Sequence, residues 1–222
     1  MMRLLQRQLL NSILNSFDLF LFLKEKNLID EKYRYWWPTN GDFEVFIGAI
    51  LTQNTKWINV EKSLANLQNL QSLELEELAN IDIDVLISAI TPSGFKNQKS
   101  VRIKKVCQNI IDEFGDFENF KKEVCRDWLL SQKGIGQETA DAILCYSCHK
   151  EEMVVDSYTN RLLKSFGFEF ENYEELKVWL EYGINENFDK IDALYDYDIS
   201  LNMIYCRFHG KIVEFMKNQK KS

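Results

Sequence analysis

Apolar residues recur at helical spacing through almost the whole chain. Leu5, Leu9, Ile13, Phe17, Phe20 and Leu21 share one face and predict a first amphipathic helix. A loop follows over 30–41, carrying Trp36, Trp37 and Pro38. Phe43, Phe46, Ile47, Ile50 and Leu51 then mark a second helix, with Asp42 as its N-cap. A polar break over 52–56 interrupts the pattern, and Trp57, Val60, Leu64 and Leu67 resume it. Pro92-Ser93-Gly94 reads as a turn. Helices are predicted over 97–114, stopping at Gly115, and over 117–130. Lys133-Gly134-Ile135-Gly136 forms a tight hairpin between two helices, and Val154-Val155 lead into Asp156, a further N-cap. The remainder, to Lys217, reads as three helices with a break at Gly183.

An all-α fold is therefore expected. Composition supports it: 222 residues hold nine Gly and two Pro, too few breakers for the many tight turns of an all-β chain. With 45% hydrophobic and 27% charged residues the chain can build a core and stay soluble. Arg3, Arg7, Asn11, Asn15 and Asp18 interrupt the apolar N-terminal stretch, so neither a signal peptide nor a membrane helix is expected, and a cytoplasmic protein is. Five scattered cysteines do not form a disulfide framework.

The net charge of −7 argues weakly against a nucleic-acid partner, because phosphate binding is driven by Lys and Arg. Local distribution matters more. Lys96, Lys99, Arg102, Lys104 and Lys105 lie within ten positions free of any acid. The hairpin offers a second, uncharged way to hold a phosphate backbone. Gly134 and Gly136 leave the main chain bare, so the N–H groups opening the next helix suit a phosphate oxygen, while Ile135 packs inward. Such a contact grips DNA without reading its sequence. A plain helical corner with a C′ glycine has the same local pattern.

Further spacing separates the two. Gln132 to Ala140, followed by Met153-Val154-Val155-Asp156-Ser157, resembles the helix-hairpin-helix plus Gly/Pro…Asp (HhH-GPD) motif of the endonuclease III superfamily of DNA glycosylases. The likeness runs over about 43–211. It includes 43–55, similar to that family's first barrel helix and DNA-probing loop, and 93–99, similar to its second DNA-facing loop. The resemblance implies two helical lobes, 1–40 plus 150–222 and 41–149, with the helix-hairpin-helix at about 125–148. It places Asp156 at a cleft between them, as the carboxylate that stabilises positive charge on the sugar while a base–sugar bond breaks. Capping the helix that starts at Ser157 would hold that carboxylate rigid.

Bifunctional members carry a Schiff-base lysine where this chain has Glu138, which cannot form an imine, so a monofunctional enzyme is expected. Lys133 lies on the other side of the hairpin. Many relatives also carry a four-cysteine iron–sulfur cluster after the last helices. Here Arg207-Phe208-His209-Gly210 resembles the approach to that loop, but no cysteine follows, and no cluster is expected. Cys145, Cys148 and His149 lack a fourth ligand for zinc and read as core thiols beside a histidine.

The pattern of Trp36-Trp37-Pro38, Leu51 to Lys56, the hairpin, Asp156 and Arg207 to Lys211 is similar to the cluster-less 3-methyladenine branch of the superfamily. That resemblance implies an alkylated purine flipped out of double-stranded DNA, stacked on Trp36 and Trp57 with Trp37 as neighbour. An N-methylated purine is cationic, which favours an aromatic face, and is already a good leaving group. Gln53 or Asn54 would fill the vacated gap. Lys56, Lys99 and Arg102 would contact phosphates, together with Lys133, Gly134, Ile135, Gly136 and Gln137 of the hairpin. The same branch implies Lys211 as a candidate for carbamylation, the alternative being a solvent-exposed lysine. A monomer that needs no cofactor is expected. The rival readings are a glycosylase for uracil, mismatched or oxidised bases, a non-catalytic helix-hairpin-helix DNA-binding module, and a zinc protein.

Overall fold

The computed structural model describes residues 13–30, 34–37 and 41–219, so Leu5 and Leu9 of the predicted first helix lie outside the described residues. Every regular element described is helical. In chain order these are α1 (Ser16–Lys24), α2 (Asp42–Thr52), α3 (Trp57–Asn69), α4 (Leu75–Asn80), α5 (Ile83–Ala89) and a 3-10 turn (Thr91–Ser93). Then come α6 (Lys96–Phe114), α7 (Phe117–Glu123), α8 (Arg126–Ser131) and α9 (Gln137–Ala142), which runs on as a π turn (Ile143–Ser147). The chain ends with α10 (Ser157–Ser165), α11 (Tyr173–Asn185), α12 (Phe188–Asp192) and α13 (Leu201–Gln219). The chain divides into two compact units. One joins Met1–Trp37 to Glu151–Ser222, and the other is Pro38–Lys150.

In the first unit α1 packs on α11 and α13, and α10 packs on α13. Asn15 starts α1 with a capping box: its side chain accepts from Asp18 N, and Asp18 accepts from Asn15 N. Phe20 meets Phe208 edge-on at 5.6 Å in the core. The break expected at Gly183 does not occur, and Gly183 lies inside α11. A Cβ there would collide with the Ser16 hydroxyl, so the missing side chain lets α1 and α11 approach closely. Four helices, not three, follow Asp156.

In the second unit α4 and α5 pack against α6, and α2 packs against the π turn. Phe46, Phe114, Phe117, Phe120 and Trp128 form an edge-to-face cluster that seats α7 and α8. The helix predicted over 117–130 is two helices. It breaks at Val124-Cys125, where the Lys150 ammonium donates to the carbonyls of Lys122 and Val124. Asp42 is not the N-cap of α2. Gly41 holds that position, and the Asp42 carboxylate instead accepts from Lys121 Nζ at 2.7 Å and meets His149 Nε2 at 2.9 Å. Burial pushes that carboxyl up, but these two partners outweigh it and hold it below its ordinary value.

Candidate functional site

The hairpin is built from the buried side outward. Arg126 on α8 donates to both oxygens of Asp141 on α9, at 2.6 and 3.2 Å. Asp141 is fully buried, so this two-pronged pair clamps the two helices together. Ile135 is buried at the bend, while Lys133, Gly134, Gly136, Gln137 and Glu138 are all exposed. Gly134 has φ 87°, in the left-handed region, and the Arg102 guanidinium lies where its Cβ would be. Gly136 has φ −96° and open space where a Cβ would go.

Both phosphate candidates on α6 make bonds within the protein. Arg102 is half-buried beneath the hairpin, and it donates to Gln53 Oε1. Lys99 is buried, and its ammonium donates inward to Leu51 O at 2.7 Å, Thr55 Oγ1 at 2.8 Å and Ser93 O at 2.9 Å. Lys104 donates to Ile81 O at the end of α4. Of the five-cation run only Lys96 and Lys105 are exposed: Lys99 and Lys104 donate to carbonyls at the ends of neighbouring elements, and Arg102 to the Gln53 side chain. Lys56, the third phosphate candidate, is exposed.

The two candidates in the probing turn separate. The Gln53 amide donates to Gly134 O at 3.0 Å and Thr139 Oγ1 at 2.8 Å, which ties this turn to the hairpin. Asn54 is exposed and sits at φ 52°. Trp57 opens α3 half-buried in the same unit. Within the 93–99 loop, sequence reasoning did not single out Phe95, which is 62% exposed and held at φ 46° at the start of α6. An aromatic residue in that backbone region beside Gly94 is the signal that could have marked it.

Asp156 belongs to the first unit. It is the N-cap of α10: its Oδ1 accepts from Thr159 N at 2.7 Å and Thr159 Oγ1 at 2.9 Å. Its Oδ2 faces His209 Nε2 at 3.6 Å. Burial raises the Asp156 pKa, but His209 and Thr159 outweigh it and hold the carboxyl below its ordinary value. The group therefore stays ionised through neutral pH. Its contribution to stability is full above the ordinary carboxylate range and is lost as pH falls through the folded value.

His209 also lies edge-on to Trp36, at 5.7 Å between ring centres, and Trp36 meets Trp37 at 6.2 Å. The Trp36 ring rests on Gly210, where a Cβ would collide with it. Asp156, His209, Trp36 and Trp37 thus form one linked group, and His209 is the member absent from the sequence-derived site. Lys211 and Arg207 on the same helix are both fully buried. Among the described residues no group of three or more His, Cys, Asp or Glu side chains could hold a metal ion. Cys145 and Cys148 are buried, and burial pushes the Cys148 thiol up to about 12.

Residues 47–181, which hold the hairpin and Asp156, match the family model of the HhH-GPD superfamily base excision DNA repair proteins. The chain belongs to the HhH-GPD superfamily. Within it, the chain is 37% identical over 192 residues to a Methanocaldococcus jannaschii protein provisionally named a DNA repair glycosylase, covering 83% of this chain and 81% of that one. The solved 3-methyladenine DNA glycosylase (MagIII) of H. pylori, bound to 1,N6-ethenoadenine, superposes with a TM-score of 0.90 at 48% identity. That match covers 93% of this chain and 99% of the other. A covalent endonuclease III–DNA complex shares the fold, with a TM-score of 0.65 at 16% identity over 95% of this chain and 85% of the other.

Proposed function

We propose that this HhH-GPD protein is a monofunctional DNA glycosylase that hydrolyses the N-glycosidic bond of alkylated purines, 3-methyladenine among them, flipped out of duplex DNA. The observation that carries the reading is Asp156, an ionised carboxylate fixed by two hydrogen bonds from Thr159 and placed in one group with His209 and the Trp36–Trp37 pair. As the base departs, positive charge grows on the sugar, and a fixed anion stabilises it without reorganising. The same carboxylate can orient the attacking water. A cationic base gains from aromatic faces, which supports Trp36, Trp37 and Trp57 as the base-contacting set. The exposed hairpin glycines offer backbone N–H groups to a phosphate, and exposed Lys56 and Lys133 add charge. Exposed Asn54 is better placed than Gln53 to enter the gap left by the base.

Glu138 stands where a Schiff-base lysine would be needed, so the abasic strand should remain intact. Methylated duplex DNA incubated with the enzyme should release free 3-methyladenine, with strand breaks appearing only after alkali. A covalent adduct trapped by borohydride would contradict the monofunctional reading, and no release of any methylated purine would contradict the substrate.

The reading includes a carbamate on Lys211. Arg207 and Lys211 lie one helical turn apart in α13, both fully buried, and like charges at that spacing repel. Addition of carbon dioxide to the neutral amine, with loss of one proton, makes Lys211 an anion facing the same turn as Arg207. Intact mass in bicarbonate should show the added carbon dioxide, lost on mild acid treatment. An unmodified mass under native conditions would remove this part of the reading.

A further inference from the structure

Lys99 is a large cationic side chain with only 2% of its surface exposed, in a protein where buried charge is costly. Its ammonium has three hydrogens, and the structure gives them three acceptors. Leu51 O belongs to the last turn of α2, whose carbonyls have no partner within the helix. Thr55 Oγ1 lies at the far side of the probing turn. Ser93 O belongs to the 3-10 turn before α6. The Thr55 hydroxyl also donates to Ser93 O at 2.5 Å, closing a small ring of bonds between the two turns. The Ser93 hydroxyl in turn donates to Ser63 on α3 at 2.7 Å.

Each braced turn carries one exposed tip in an unfavourable backbone. Asn54 sits at φ 52°, between Thr52 and Thr55, whose backbones bond at 3.0 Å. Phe95 sits at φ 46°, directly after Gly94 at φ 65°. Strained positions of this kind persist only where their surroundings over-determine them. A mobile lysine could not supply that constraint, whereas a buried one with all three donors fixed can.

We propose that Lys99 is a positioning residue for base extrusion: it locks the Asn54 turn and the Phe95 turn together, so that both tips meet the duplex as one rigid element. The inference rests on the glycosylase reading above. The energy needed to unstack and unpair a base comes from contacts that replace it, and those contacts lose value if the tips move independently. Burial and the neighbouring Arg102 push the Lys99 ammonium down to about 8, a cost to the charged form that the three acceptors offset.

The test compares one alkylated purine in two settings, fully paired in a duplex and unpaired in a single-nucleotide bulge. Single-turnover release is measured for the wild type, Lys99→Met and Thr55→Val. Lys99→Met should lose about 10-fold or more on the paired lesion, as expected when several buried bonds to a charge are removed, and change little on the bulged one. Thr55→Val, which removes one arm of the brace, should shift in the same direction by less, and it keeps the test open if Lys99→Met does not fold. An equal loss on both lesions, or none on either, overturns the proposal. A wild type that releases the base from neither setting overturns the glycosylase reading instead.

Discussion

Gly134 and Gly136 are two positions apart, yet a methyl group would meet quite different surroundings at each. At Gly134 it would occupy the place of the Arg102 guanidinium, on a backbone at φ 87°. At Gly136 nothing lies within 4 Å and the backbone is ordinary. Gly134→Ala should therefore destabilise the protein by about 1–3 kcal/mol. Gly136→Ala should leave stability within about 0.5 kcal/mol, while weakening duplex binding if a phosphate sits against that bare backbone. Thermal unfolding and DNA binding of the two variants check this pair, and a Gly136→Ala protein that binds DNA like the wild type would show that the hairpin is not the grip. The glycines and Ile135 were legible because their roles are local: a tight turn must be bare outside and apolar inside. Asp156 was legible as a cap for the same reason. His209 was not, since its approach to Asp156 joins positions far apart in sequence and depends on how α13 lies against α10.

At the scale of elements, apolar periodicity located α2, α3, α6 and the hairpin helices, because each buries one face. It missed α4 and α5, which are short and are held largely by packing on α6. It also ran α7 and α8 together and broke α11. Both errors were settled by partners distant in sequence, the Lys150 ammonium at the end of α7 and the Ser16 hydroxyl beside Gly183. The cation-rich start of α6 shows the same limit. Charge counted along a sequence suggests a phosphate-binding face, but on a helix of 3.6 residues per turn those cations point in several directions. Lys99 and Lys104 donate to carbonyl ends of neighbouring elements, and Arg102 donates to the Gln53 side chain. Three of the five cations of that patch make bonds to the turns and elements beside it.

For the whole molecule, an acidic chain and a DNA substrate are reconciled by division of labour. In the proposed reading, bare backbone N–H groups at the hairpin hold phosphates, and exposed Lys56 and Lys133 add charge. The carboxylate proposed to act on the sugar, Asp156, belongs to the other compact unit. The central claim is that Asp156 acts on the sugar and does not only cap α10. Asp156→Asn separates the two roles, because an asparagine oxygen still accepts from Thr159 N and preserves the cap. The most direct measurement is single-turnover release of 3-methyladenine from methylated duplex DNA by this variant, beside its melting temperature and duplex affinity. The account predicts a folded protein with unchanged binding, melting lowered only by loss of the carboxylate's charge, and base release reduced by about 100-fold or more. Wild-type release by a folded, DNA-bound Asp156→Asn protein would contradict it.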